Sequence, residues 1–373
     1  MKIKIRNESL AGMVGMIGGI CEKSASRPVF GRIHLRAADG RLYLSMCDDE
    51  ISARLATPEG CDCVRENGHF CVPPGKFLEI LKAIGGGNTA VSLGKDNRAL
   101  IASGGSRFRL GTFPGEDFAG DKGLSGDMGD GAKASAANVD AAIRSVIPSG
   151  GGESSGFDGV NLEFGKDMIT AVATDGNRLA VAPIKCEGLA AANIFLTRRG
   201  ASALASVCAG HGSGMVALIP RDHGLALSSE NVRMIIRSQP RDFPDWRSVV
   251  PPEDTPSLSV PAGEFADAIA SARIMGGASP VALLKRDGDT LIVAAEDAAT
   301  GDANITVGGV WGEAAPDVAL DLRYLSDAIT AARPAGGILK IGFGGGLKPL
   351  SFRSSDSPGA PFAVMMPLKT MVG

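Results

Sequence analysis

The chain has 373 residues, of which 44% are apolar and 21% are charged, and its formal net charge is −3. This length is too great for a single hydrophobic core and suits two or three domains. The negative charge excludes a protein that holds nucleic acid by bulk positive charge, so any contact with DNA would depend on local patches. The sequence has no run of about 18 apolar residues, which excludes a membrane-spanning helix.

The N-terminal residues alternate as a strand does, from Met1 to Arg6. The next segment, residues 8–23, has helical spacing and is interrupted by glycines. Such a segment is too short and too broken for the apolar core of a secretory signal. We therefore expect a cytoplasmic protein.

The sequence contains three similar repeats. Each repeat contains a helical segment, a hairpin whose second strand ends in an acid, an amphipathic helix with a short cap, and a closing strand. The hairpin acids are Asp48, Asp175 and Asp297, and the caps are Pro73, Thr197 and Asp321. These landmarks keep their order and recur about every 125 residues. The opening helical segments are residues 8–23, 138–147 and 262–275.

The repeats predict an α+β fold. Glycine- and proline-rich stretches separate them, which predicts three domains at residues 1–126, 127–254 and 255–373. Each domain should hold two helices on one face of antiparallel sheets. The alternative is a generic α+β protein in which the hairpins coincide by chance.

The residue patterns give little support for an enzyme or a metalloprotein. The seven cysteines form no CxxC pair, and Cys61 and Cys63 are too close together for ordinary zinc spacing. No phosphate-binding loop or nucleophile elbow is present. We expect no catalytic residue, no metal and no cofactor, and we keep a hydrolase or transferase as the rival class.

Several stretches resemble one family. "ATDGNRLA" (173–180), "RDFPDW" (241–246), "AVMMPLK" (363–369), "SRPVFGRIHLRAADGRL" (26–42) and "SRFRLGTFPGEDF" (106–118) are similar to stretches of the bacterial DNA polymerase III beta subunit, the sliding clamp. The chain departs from the family pattern at Asn177, where a histidine is usual, and at Trp246, where a tyrosine is usual. These departures indicate a divergent member.

The resemblance implies a DNA sliding clamp and processivity factor with no catalysis of its own. Two chains would pair head to tail into a six-domain ring around duplex DNA, opened by an ATP-driven clamp loader. DNA polymerase and other replication or repair proteins would bind through short hydrophobic peptides, in a groove between domains 2 and 3. The alternative is a peptide-binding scaffold that does not encircle DNA.

The resemblance also assigns residues to these surfaces. The peptide groove comprises Phe157, Thr174, Gly176, Asn177, Arg178, Leu179, Pro244, Val249, Tyr324, Leu347, Val364, Met365, Met366, Pro367 and Leu368. The DNA-facing cations are Lys23, Arg27, Lys76, Lys82, Arg144, Arg198, Arg199, Arg273, Arg323 and Arg333. The dimer interface comprises Phe108, Leu110, Ile274 and Met275. For isolated residues, ordinary core packing and solvated surface charge are the competing interpretations.

Overall fold

A computed structural model of the chain describes residues 1–20, 30–116, 118, 120, 123–152, 156–188, 191–238, 241–277, 280–297, 301–311, 317–332, 337–354 and 359–369. Over these residues the fold is α+β, with helices α1 to α6 and strands that pair antiparallel. The predicted fold class is therefore confirmed. No helix in these ranges is long and apolar enough to cross a membrane.

The elements occur in a similar order three times. The first set is β1 (Lys2–Arg6), α1 (Asn7–Ile17), β2 (Ile33–Ala38), β3 (Arg41–Cys47), β4 (Ile51–Ala56), β5 (Val64–Glu66), β6 (Gly68–Val72), α2 (Pro74–Ile84), β7 (Asn88–Leu93), β8 (Arg98–Ser103) and β9 (Ser106–Gly111). The second is β10 (Ala132–Ser135), α3 (Ala136–Val146), β11 (Gly159–Phe164), β12 (Met168–Thr174), β13 (Arg178–Glu187), β14 (Ala192–Thr197), α4 (Arg198–His211), β15 (Met215–Arg221), β16 (Gly224–Ser228) and β17 (Val232–Arg237). The third is β18 (Ser257–Pro261), α5 (Ala262–Met275), β19 (Val281–Asp287), β20 (Thr290–Asp297), β21 (Gly301–Gly308), β22 (Val310–Trp311), β23 (Val318–Asp321), α6 (Leu322–Ala332), β24 (Ile338–Phe343), β25 (Leu350–Ser354) and β26 (Phe362–Met365).

The first helix is shorter than its sequence pattern predicts. It ends at Ile17 rather than at residue 23, and the backbone N–H of Gly18 closes the last turn on the Val14 carbonyl. Two consecutive glycines at positions 18 and 19 explain the stop, because glycine is the poorest helix former after proline. The fifth helix, in contrast, has the bounds that its pattern predicts.

The chain divides into two compact units. Unit 1 comprises Met1–Asp140, Cys186–Leu189 and Ala203–Pro240, and unit 2 comprises Ala141–Lys185, Ala190–Ser202 and Arg241–Gly373. These units do not test the domain boundaries at 1–126, 127–254 and 255–373, which stay a prediction.

Unit 1 contains two sheets. One has the order β5-β1-β7-β8-β9. The other runs β6-β2-β3-β4-β17-β16-β15-β10, and in it β4 pairs antiparallel with β17. Alternate residues along β1 and β17 are buried, as expected when one face of a sheet is covered.

Unit 2 also contains two sheets. One runs β14-β11-β12-β13-β26-β25-β24-β18-β22, and in it β13 pairs antiparallel with β26. The other has the order β21-β20-β19-β23. Among the described strands, β9 of unit 1 pairs with β8 alone and β21 pairs with β20 alone, so both are sheet edges.

A buried asparagine joins the two helices of the first set. The side-chain amide of Asn7 donates to the carbonyls of Leu81 and Gly85 at 2.7 and 2.6 Å, and its oxygen accepts from the Thr89 hydroxyl at 2.9 Å. The last carbonyls of a helix have no partner within the helix. Asn7 therefore caps the C-terminal end of α2 from the first residue of α1.

We predict that Asn7→Ala destabilises this helix pair by roughly 2–4 kcal/mol, because it leaves buried carbonyls without donors. Hydrogen exchange in α2 should accelerate, as measured by mass spectrometry. Asn88→Ala, at an exposed position of β7, is the control and should leave exchange in α2 unchanged. Equal exchange in both variants would contradict the capping role.

Candidate peptide-binding site

The turn between β12 and β13 is held by its own side chains. The Thr174 hydroxyl donates to the Arg178 carbonyl at 2.6 Å and accepts from the Gly176 N–H at 3.1 Å. One carboxylate oxygen of Asp175 accepts from the backbone N–H groups of Asn177 and Arg178 at 2.9 and 3.0 Å. Gly176 has a φ of +91°, in the region that favours glycine. The turn is therefore rigid, and it exposes Asn177 at its tip.

Arg178 is fixed by two carboxylates and one aromatic ring. Its Nε donates to Asp175 at 2.9 Å, its Nη1 donates to Asp327 of α6, and its guanidinium carbon lies 4.1 Å from the centre of the Tyr324 ring. These contacts tie the turn to α6. The guanidinium is 13% exposed and paired on two sides, so it orients the turn.

Strand pairing brings the C-terminal segment to this turn. In the β13–β26 ladder, Arg178 is opposite Met365 and Leu179 is opposite Val364, and the Met366 N–H donates to the Asn177 carbonyl at 2.8 Å. Two of the predicted groove segments, far apart in sequence, are thus adjacent. Met365, the last residue of β26, is buried, and Met366, which follows the strand, is exposed.

The floor beside the turn is apolar. Leu179 and Val364 belong to a buried cluster with Val172, Val181 and Trp246, against which Phe243, Val250 and Phe362 pack. The Trp246 indole N–H donates to Glu163 at 2.8 Å, which satisfies its polar atom. The other Glu163 oxygen accepts from Arg247 at 2.7 Å. These hydrogen bonds hold Trp246 in the buried cluster.

Four large apolar side chains of the predicted groove are exposed. Their exposed fractions are 48% for Val249, 53% for Leu347, 40% for Met366 and 39% for Leu368. Large apolar side chains at the surface are informative when they belong to one predicted site, because they mark interaction surfaces. Here they accompany a rigid turn and a buried apolar floor.

The remaining groove residues occupy the flanks. Phe157 stacks edge-on against Phe243, with ring centres 5.8 Å apart. Pro244 is exposed and Pro367 is half-buried. The Leu368 N–H donates to the Ala319 carbonyl at 2.8 Å, which fixes the end of the described chain to β23.

Three supporting residues were not among those assigned from the sequence. Asp327 holds Arg178, Glu163 holds Trp246, and Phe243 packs between Phe157 and the buried cluster. Asp327 lies three residues after Tyr324 on a helix, so helical spacing could have indicated that both reach the same neighbour. Glu163 carries no comparable signal in the sequence.

The predicted DNA-facing cations have different surroundings. Lys76, Lys82, Arg144, Arg273 and Arg323 are exposed, and Arg199 is half-buried. Lys23, Arg27 and Arg333 lie outside the described residues. Arg323 forms an ion pair with Asp321 at 2.7 Å.

Arg198 is engaged inside unit 2. Its Nε donates to Asp158 at 2.5 Å, and its terminal nitrogens donate to the carbonyls of Ile147, Gly150 and Gly151. A guanidinium that already fills these acceptors has fewer donors left for a phosphate.

The predicted dimer residues lie at the two sheet edges or near them. Phe108 and Leu110 are on the edge strand β9; Phe108 is half-buried and Leu110 is buried. Ile274 and Met275 end α5, and Ile274 is 79% exposed. An isoleucine exposed to this extent is unusual for a residue type that is mostly buried.

The comparisons with known proteins agree with this architecture. The family model "DNA polymerase III beta subunit, N-terminal domain" matches residues 1–120. The beta sliding clamp of Haemophilus influenzae is 26% identical over 271 residues, which cover 67% of this chain and 68% of the relative. That of Salmonella typhimurium is 27% identical over 297 residues, covering 74% and 75%.

Solved structures show the same fold over nearly the whole chain. The DNA polymerase III beta subunit from Thermotoga maritima superposes with a TM-score of 0.88 at 17% identity, covering 99% of both chains. A Pseudomonas aeruginosa sliding clamp bound to griselimycin superposes with a TM-score of 0.87 at 18% identity, covering 99% of this chain and 100% of that one.

The chain is thus similar to DNA sliding clamps in sequence and in fold. Its first 120 residues match the family model of the DNA polymerase III beta subunit. The resemblance inferred from the sequence is confirmed. The individual groove, DNA-facing and dimer residues stay predictions.

The conformation of the turn generates a prediction about two glycines. Gly176→Ala should destabilise unit 2 by roughly 1–3 kcal/mol because alanine is strained at this φ, although the added Cβ meets no atom within 4 Å. Gly263→Ala, in α5, also meets no atom within 4 Å and should stabilise by up to about 1 kcal/mol. Both tryptophans lie in unit 2, so denaturant titration followed by tryptophan fluorescence measures each change. Equal shifts in the same direction would contradict the strained turn.

Proposed function

We propose that two copies of this chain close head to tail around duplex DNA in the cytoplasm and tether DNA polymerase to it. Similarity to sliding clamps supports this proposal, under which the chain is a processivity factor with no catalysis of its own. DNA polymerase and the clamp loader would bind through short hydrophobic peptides. We also propose that the three repeats, residues 1–126, 127–254 and 255–373, are the domains of the ring.

The observation that carries the assembly proposal is the pattern of strand edges. Each set has three consecutive antiparallel strands after its first helix, and the third of them pairs with the last strand of the next set. In this way β4 pairs with β17, and β13 pairs with β26. The same positions in the remaining sets are β21, the third such strand of the third set, and β9, the last strand of the first set. Both are edges among the described strands. Antiparallel pairing of β9 with β21 of a second chain would repeat the same junction and remove both edges.

Side-chain chemistry at these edges supports the same pairing. The exposed Arg107 and Arg109 lie on β9, and the exposed Asp302 lies on β21. Opposite charges on adjacent strands favour pairing, and Phe108 and Leu110 supply the apolar face.

The groove would bind the peptide mainly through apolar contact. Val249, Leu347, Met366 and Leu368 are exposed, and methionine adapts to ligands of different shape. Arg178 is held by Asp175 and Asp327, so its role would be to keep the turn in place. The exposed Asn177, where the family usually has histidine, would change the peptide preference.

Contacts with DNA would be sequence-independent and sensitive to salt, because they would be made to phosphates. The proposed cations are Lys23, Arg27, Lys76, Lys82, Arg144, Arg198, Arg199, Arg273, Arg323 and Arg333. Their local positive charge is modest, which is compatible with a topological grip on the duplex.

Retention on DNA tests the function directly. After loading by a clamp loader, the protein should remain on circular DNA through a high-salt wash and should dissociate when the circle is cut. Retention that does not depend on the circle being closed would instead favour ordinary binding. No retention together with peptide binding would favour the scaffold that does not encircle DNA.

The proposed dimer predicts the effect of a charge on β9. Phe108→Asp would place a carboxylate in an apolar interface, which costs several kcal/mol if the group stays buried. Sedimentation should show a monomer with unchanged circular dichroism. Met215→Asp, at a 52% exposed position of β15, is the control and should leave the dimer intact. A dimer unaffected by Phe108→Asp would place the interface elsewhere.

The proposed groove predicts that shortening one side chain weakens peptide binding. Met366→Ala should weaken binding of a glutamine-led peptide that ends in leucine and phenylalanine by roughly 1–3 kcal/mol. Retention on circular DNA should be unchanged. Met168→Ala is a matched control, since both methionines are 40% exposed and only Met366 lies in the proposed groove. Fluorescence titration decides the matter. Equal binding by all three proteins, or by none, would reject this groove.

A further inference from the structure

A second, polar pocket lies in unit 2 on the sheet that contains β24 and β25. It is lined by Pro252, Glu253 and Thr255 and by Gly359–Pro361, and its volume is about 150 Å³. One water needs roughly 10–15 Å³ of such a volume, so the pocket has room for several waters or for one small ion. None of the residues assigned to the peptide groove lines it.

Two cations lie side by side in this pocket. Lys340 on β24 is directly opposite Arg353 on β25 in the antiparallel ladder. Like charges at directly opposed positions destabilise a sheet, because their Cβ atoms are only about 5 Å apart. Such a pair is expected where an anion lies between the two charges.

The described residues pair Arg353 incompletely. Its guanidinium carbon lies 4.2 Å from the centre of the Phe362 ring, and its side chain is 23% exposed. The Nε atom is buried, and among the described residues it has no hydrogen-bond partner. Burial lowers the pKa of this guanidinium. A partly buried charge with incomplete hydrogen bonding is costly, and an anion next to it would offset part of that cost.

The nearest carboxylate does not fill this role. Glu253 lies 3.7 Å from an Arg353 terminal nitrogen, and its own side chain is 80% exposed. An ion pair of this length with so exposed a partner contributes little. Lys340 donates only to the backbone carbonyl of Glu253, at 3.4 Å. Glu253 therefore lies at the rim as a weak competitor for the two cations.

A glycine keeps the floor of the pocket open. Gly342 is directly opposite Ser351 on the same two strands. A Cβ at position 342 would lie 2.6 Å from the Ser351 hydroxyl oxygen and 3.9 Å from the Thr255 Cβ. The missing side chain at position 342 therefore leaves space beside the buried Ser351. Gly342 lies two residues along β24 from Lys340, and Ser351 lies two residues along β25 from Arg353.

We propose that this pocket is a binding site for a small oxyanion, a phosphate or a carboxylate group, held by Arg353 and Lys340 over the floor formed by Gly342 and Ser351. The Arg353 guanidinium, whose side chain is 23% exposed, supplies the first charge. Lys340 supplies the second charge from across the ladder. The site is independent of the proposed peptide groove and of ring closure.

Equilibrium dialysis of the full chain at low ionic strength, with radiolabelled inorganic phosphate and radiolabelled acetate as probes, tests the site. The parent protein should bind at least one probe. Tighter binding of phosphate than of acetate would identify a phosphate group as the preferred source, and the reverse order would identify a carboxylate. Binding of neither probe would overturn the proposal.

Four substitutions locate the binding. Arg353→Gln should weaken it about tenfold or more, the loss usual for a charge-assisted hydrogen bond. Glu253→Gln should strengthen it, since it removes the competing carboxylate. Gly342→Ala should weaken it without changing any charge. Lys348→Gln, at an exposed position between β24 and β25, is the control and should have no effect.

Two of the variants should change the affinity in opposite directions, so the test still decides when a third variant fails to fold. Should Arg353→Gln be unfolded by circular dichroism, Glu253→Gln and Gly342→Ala still have to move the affinity in opposite directions. Unchanged affinity in both, or in a folded Arg353→Gln protein, would overturn the site. Met366→Ala should bind the probes as the parent does, so failure of the peptide groove remains distinguishable.

Discussion

The pairing of sheet edges is the constraint on which the rest of this structure depends. A strand edge leaves backbone N–H and C=O groups without partners, and these groups must be satisfied when they are buried. In unit 2 the antiparallel pairing of β13 with β26 meets this need. The same pairing places Leu179 beside Val364 and brings Met366 to Asn177, so the candidate groove exists only because two distant segments share a ladder.

Unit 1 meets the same constraint in the same way, through β4 and β17. The recurrence matters because it gives the two corresponding edge strands, β9 and β21, an expected kind of partner. A long, exposed strand edge invites association with another chain. The physical point is that a backbone rule, rather than a special set of side chains, accounts for both junctions within this chain.

Two arginines of unit 2 show how surroundings decide what a cation does. Arg178 and Arg353 both lie over an aromatic ring, at 4.1 and 4.2 Å. Arg178 has carboxylates on two sides and therefore stiffens a turn. Among the described residues, Arg353 has Lys340 directly opposite and the exposed carboxylate of Glu253 at 3.7 Å. The first cation is compensated within the fold, and the second is the one for which we propose an external anion.

The sequence by itself determined the α+β class, the threefold recurrence of elements and the resemblance to the beta-subunit family, because helical and strand periods are local and the motifs are short. It also predicted α5 to the residue, whereas α1 ends early at Gly18. Only the tertiary structure decided that Met365 is buried while Met366 is exposed, that Arg198 is engaged by backbone carbonyls, and that Lys340 lies opposite Arg353. Loop conformation and strand register set these outcomes, and no local pattern specifies them; a shift of one residue in register moves every side chain to the other face.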